Sequence, residues 1–153
     1  MTQTSQAKGP TNEDLGRVAS ACRSLIESRF PEDEEAGAAA VLLADGTVLT
    51  GASPDFINPS TTVCHETEPF CAAFRLDQRI TASVCLHRTA EDKFLVLSPC
   101  GVCRERLATH GPNVKVAVPE DNDATEIRWI PLRTALPHYW VSVFPEEVPE
   151  WKI

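Results

Sequence analysis

The 153-residue chain is short of positive charge: 14 lysines and arginines stand against 22 aspartates and glutamates, a formal net charge of -8. Grip on a bare phosphate backbone comes from lysine and arginine, so this balance argues against nucleic acid as a partner. Long hydrophobic runs are missing as well. No stretch approaches the roughly 20 apolar residues that cross a bilayer. The polar opening MTQTSQAKGPTNED also lacks the apolar core of a secretory signal. The expected setting is therefore cytoplasmic and reducing. There, six cysteines read as ligands, reactive thiols or small core residues rather than as a disulfide framework. Repeats and low-complexity blocks are absent. What remains is an ordinary globular composition, 42% hydrophobic and 24% charged, fitting one domain that buries roughly 68–70% of its unfolded surface. Residues 1–11 read as a disordered lead-in and 12–153 as a single domain with an aromatic C-terminal tail.

Periodicity supplies the elements. Leu15, Val18, Ala19, Cys22, Leu25 and Ile26 recur at helical spacing over 13–29, behind Thr11 or Asn12 as a cap. AAAVLL-ADG-TVLTG predicts a hairpin turning on the two residues Asp45 and Gly46. From Cys64 a helix is expected to about Arg79, with Pro69 tolerated near its first turn. ITASVCLHR and KFLVLS read as strands, CGVCRERLATHG as a helix ending at Gly111, and NVKVAVP and TEIRWIPL as two further strands. The order α-β-β-α-β-β-α-β-β predicts an α/β fold, one mixed sheet covered by helices.

Two motifs open helices. Cys100-x-x-Cys103 can place two thiols on one soft ion, form a redox pair, or pack as small core residues. Cys64, at the head of the other helix, adds a third thiol; three ligands leave the fourth position of a tetrahedral zinc open, as in catalytic sites. Glu66, two residues on, can take a proton from water and return it to a leaving nitrogen. Three thiolates leave a negative centre, which helix N-termini aimed at them partly offset. Arg104 can donate to a thiolate sulfur or be a surface charge.

The pair of motifs CHE and SPCGVCR resembles the cytidine deaminase superfamily. Within it the chain resembles the small single-domain group of free cytidine deaminases and blasticidin S deaminases. The likeness runs from about residue 14 to 140, through the DG hairpin to IPLRTALPHYW. It implies a three-layer α/β/α fold with a mixed five-stranded sheet and helices on both faces. It further implies zinc on Cys64, Cys100 and Cys103, and Glu66 as the proton shuttle. The reaction implied is removal of an exocyclic amine from a cytosine-type ring, as ammonia, with backbone carbonyls near Ser98 and His65 orienting the amine. The group's members are homotetramers or homodimers, so a homo-oligomer is expected.

The departures bear on substrate. His65 stands where relatives carry alanine; it can contact substrate, add a proton-transfer group, or point away to solvent or a subunit contact. Ser53-Pro54-Asp55 occupies the place of the Asn-x-Glu that holds ribose hydroxyls, with Asp55 keeping the charge on a shorter arm. Glu34 falls near the stacking phenylalanine, where an acid can instead recognise a cation. Glu68 is a further acid near the site or a solvated helix-start residue. Cys22, Cys71 and Cys85 read as buried small residues, and His87, His110 and His138 as surface or capping residues. Trp140, Phe144 and Trp151 either close a pocket or pack the tail. The substrate reads as a cytidine-like nucleoside or an aminopyrimidine antibiotic. The alternative reading is a catalytically inactive zinc-stabilised module that binds a ligand.

Overall fold

The computed structural model describes residues 9–152. Most of the lead-in expected over 1–11 therefore lies outside the described residues. Helix α1 spans Asn12–Arg29 and is closed at its start by a capping box: Thr11 accepts from the Asp14 amide, and the Asp14 carboxylate accepts from the Thr11 amide. Strands β1 (Ala36–Leu43) and β2 (Val48–Gly51) form the hairpin. Its loop is one residue longer than the expected two-residue turn. Leu43 N–H donates to Thr47, while the Ala44 amide is drawn off to the carbonyl of Arg79. Gly46 sits at φ 88, a conformation that glycine adopts without strain.

Helix α2 covers Thr67–Arg75, shorter at both ends than expected, with Cys64–Glu66 forming the turn before it. Pro69 falls in the first turn, where its missing N–H costs no helical bond. Then come β3 (Ile80–Arg88), β4 (Phe94–Leu97), α3 (Gly101–Ala108), β5 (Lys115–Glu120), β6 (Asp123–Pro131) and a short α4 (Leu132–Ala135).

The sheet has six strands, not five. The path β2-β1-β3-β5-β6 holds five of them, and β4 is the sixth. Strand β3 is long enough to share one edge: Ala82 and Ser83 pair with β5 in parallel, and Cys85–Arg88 pair with β4 antiparallel. Every residue of β1 is buried, as befits a strand covered on both faces. Ala38, Ala40 and Leu42 face α1 with Val18, Cys22 and Ile26; Val41 and Leu43 face the other layer with Ala73 of α2 and Leu107 of α3. Helices therefore lie on both faces. Fully buried Arg88 ties the 30–34 loop to the sheet by donating to the carbonyls of Phe30, Pro31 and Glu34. Among the described residues, no helix is long and apolar enough to cross a membrane.

Ile26 is fully buried against β1 and β3, so Ile26→Ala is expected to cost about 2–5 kcal/mol in urea unfolding. His110 gives a pH handle. Its Nδ1 accepts from the Ile80 amide, and burial, helped by the Arg79 charge, lowers its pKa. The unfolded chain then binds the proton more readily, so stability is full above the unfolded value of 6.5 and falls as pH drops through it. His110→Asn is expected to flatten that part of the stability profile between about pH 8 and pH 5.

Candidate active site

Two chain turns meet beside the end of β4, where Leu97 pairs with Cys85 in the interior of β3. Cys100 caps α3, where its Sγ accepts from the Cys103 amide at 3.5 Å. Cys64 lies in the turn before α2, its Sγ 3.4 Å from that of Cys100. With Cys103 buried behind them, all three sulfurs fall within 4.8 Å of one another. A tetrahedral ion bound at about 2.3 Å to sulfur needs S···S edges of roughly 3.8 Å, so the trio fits one zinc-sized ion with small adjustments.

The thiols are unequal. Burial pushes Cys103 far up, and the negative charge of Glu66 adds to it. A thiolate there is unfavourable until a cation compensates it. Burial also raises Cys64, reinforced by its hydrogen bond with Cys100. For Cys100 burial acts upward too, but the Cys103 amide and the neighbouring thiols outweigh it, and the net shift is downward. The three form a unit in which one sulfur gains charge at the others' expense.

Glu66 is 5% exposed and occupies the N-cap position of α2 without using its side chain to cap it. Among the described residues its carboxylate has no hydrogen-bond partner, so it is available to something in the cleft. That cleft measures about 540 Å³ and opens above Glu66, Cys64 and Cys100. Ser53, Asp55, His65 and Ser98 stand around it.

His65 does not face solvent. Half-buried, it accepts the Ser53 N–H at Nδ1 over 2.9 Å. Burial lowers its pKa, with the Glu66 charge pulling the other way, and the neutral ring is the form that accepts such a bond. Two candidates lie elsewhere. Glu34 does not line the cleft; its carbonyl is held by Arg88 in the loop after α1. Arg104 makes no hydrogen bond to sulfur among the described residues and donates to the Ala135 carbonyl at 2.8 Å, joining α3 to α4.

Known proteins resemble this arrangement. No protein-family model matches the chain. A cytidine deaminase of Mycobacterium tuberculosis is 34% identical over 92 residues, 60% of this chain and 66% of that protein's length. The crystal structure of the cytidine deaminase from Bacillus anthracis superimposes with a TM-score of 0.82 at 38% identity, covering 92% of this chain and 99% of that one. The chain belongs to the cytidine deaminase family. The solved cytidine deaminase from Mycobacterium tuberculosis matches less closely, with a TM-score of 0.61 at 26% identity over 82% of this chain and 95% of that one.

For a cytidine deaminase-family chain, several wall residues escaped the sequence reading. Cys85 is buried, as expected, but it also lines the cleft because it pairs with Ala39 on the sheet face that carries the site. Phe56 and Leu97 supply apolar walls. Gly37, on the same face as Ala39, makes room for the His65 ring; an isolated glycine within a strand is the signal for such close approach. Of the cysteines expected to be buried, Cys71 is exposed, because it falls on the outer side of α2. Trp151 is buried and its indole donates to the Ala108 carbonyl, whereas Trp140 and Phe144 stay largely exposed and do not line this cleft.

Titration of the apo protein with Co²⁺ is expected to show thiolate-to-metal absorption that saturates near one equivalent, roughly one ion per thiol trio. Cys103→Ala should abolish that absorption.

Proposed function

We propose that the protein is a zinc-dependent hydrolytic deaminase that removes the exocyclic amine of a cytosine-type ring. The observation that carries this reading is Glu66: a buried carboxylate, unengaged among the described residues, at the floor of a cleft beside three convergent thiols. Cys64, Cys100 and Cys103 would hold the zinc. Zinc, when bound, supplies Lewis acidity that makes water a nucleophile near neutral pH.

Glu66 does the proton work. It accepts a proton from water as the water oxygen bonds to the ring carbon bearing the amine, and returns it to nitrogen. Water gives its oxygen to carbon and its two protons to nitrogen, one to the ring and one to the departing amine. The C–N bond breaks, and a ring carbonyl and ammonia result. Backbone carbonyls beside Ser98 and His65 would hold the amine. Ser53 and Asp55, on the rim, suit the hydroxyls of a sugar, so we favour a cytidine-like nucleoside; an aminopyrimidine antibiotic remains a candidate for the panel below. Glu34, outside the cleft, is left out of this reading.

Thiols that must stay reduced to bind metal suit a cytoplasmic setting, and none of the six cysteines is paired in a disulfide. Exposed Phe74 on α2, Leu76 just after it and Val102 on α3 suit a face shared between copies in a homotetramer or homodimer.

Ammonia release from cytidine, deoxycytidine and blasticidin S tests the reading. Glu66→Gln is expected to lower turnover by about 10²–10⁴-fold while the zinc content stays at the wild-type level. A Glu66→Gln enzyme with full activity would overturn the proton-transfer role of Glu66, and a zinc-loaded wild type inert on the whole panel would leave the inactive ligand-binding module as the reading.

A further inference from the structure

The chain leaves the sheet at Gly51, and its next two backbone amides are taken by one side chain from the first turn of α2 and one from the turn before it. Ala52 N–H donates to Glu68 Oε2 at 3.1 Å, and Ser53 N–H donates to His65 Nδ1 at 2.9 Å. Two glycines permit this close packing. A Cβ at Gly37 would overlap His65 Nε2, and one at Gly51 would lie 2.5 Å from Pro69 Cδ and 2.8 Å from Glu68 Cβ. Neither contact is sterically tolerable, so two separate strands leave space for His65 and for the start of α2. The residues that follow, Ser53 to Phe56, form one wall of the cleft and lie in a segment with no regular structure before the short turn at Pro59–Thr61. Such a segment has no ladder of its own to fix it. Its place is set by what holds its first residues.

We infer that His65 and Glu68 are positioning residues, a two-point clamp on the backbone of residues 52–53 that fixes Ser53 and Asp55 as the rim of the cleft. The clamp rests on the deaminase reading only for its consequence, recognition of the hydroxylated part of the substrate away from the reacting ring. It accounts for both residues that the metal-and-acid chemistry leaves over. Glu66 and Cys64 serve the reacting centre, and their neighbours hold the segment that meets the rest of the substrate. Contacts that bind ground and transition states alike raise KM when lost and leave kcat nearly unchanged, and the clamp assigns the rim contacts to that kind.

The test uses the zinc-loaded protein and two readouts. In His65→Leu, hydrogen exchange of the Ser53 amide is expected to accelerate about tenfold, as follows from losing one hydrogen bond. His65→Asn keeps an acceptor near the Nδ1 position and should exchange close to wild type. With cytidine as the probe, His65→Leu should raise KM about tenfold with kcat within about threefold, and His65→Asn should restore KM. Glu68→Ala is expected to do the same to the Ala52 amide, and Glu68→Gln to spare it. Because Glu68 is exposed, this pair serves if His65→Leu does not fold. Unchanged exchange in the Leu and Ala variants overturns the clamp. So does faster exchange with an unchanged KM, or a fall in kcat alone. If zinc-loaded wild-type protein turns over none of cytidine, deoxycytidine and blasticidin S, the function reading fails, and the exchange rates still decide the clamp.

Discussion

Three sulfur atoms from turns 36 residues apart have to converge on a point where a single ion can lie. That requirement governs much of the architecture. The turn before α2 follows β2, and the turn before α3 follows β4, so both must arrive at one end of the sheet. Strand β3 arranges this by dividing its edge, giving its second half to β4 and its first to β5. Were β5 to run the full length of β3, β4 would be displaced and Cys100 carried away from Cys64.

Convergence brings crowding, and the sheet face beneath the site is built for it. On β1 the residues facing the site at its upper end are Gly37 and Ala39, while bulkier Val41 and Leu43 lie lower, against α2 and α3. Opposite them on β3 stand His87 and Cys85. Small residues under the turn let the imidazole of His65 and the carboxylate of Glu66 be buried close to the sheet without displacing it. The opposite face is filled by α1 with Val18, Cys22 and Ile26. Burial there pushes the Cys22 thiol up to about 12, marking it as a packed small residue with no part in the chemistry.

Local pattern carried a good deal. The nine elements expected from periodicity and turn residues all form, with β3 spanning the nine residues read for it, because amphipathic spacing and Gly or Pro punctuation are short-range properties. The boundaries of α2 were less legible: Cys64–Glu66 look helical in sequence, yet they form a preceding turn in which His65 packs on Gly37 and bonds the Ser53 amide. Likewise the hairpin loop gains a residue because the Ala44 amide answers to Arg79, 35 residues away.

The sequence by itself determined the chemistry available: three thiols and one carboxylate at helix starts, in spacings that few other roles require. Tertiary structure alone decided which neighbours serve that chemistry. His65 turned inward because a glycine lies across from it on another strand, and Cys85 joined the wall through its register with Ala39. Glu34 and Arg104 were drawn off by the carbonyl of one and the guanidinium of the other, to Arg88 and Ala135. Spacing along a chain encodes which residues share a turn or a strand face. Which turn then meets which face depends on strand order and register, and those are settled only when the whole sheet assembles.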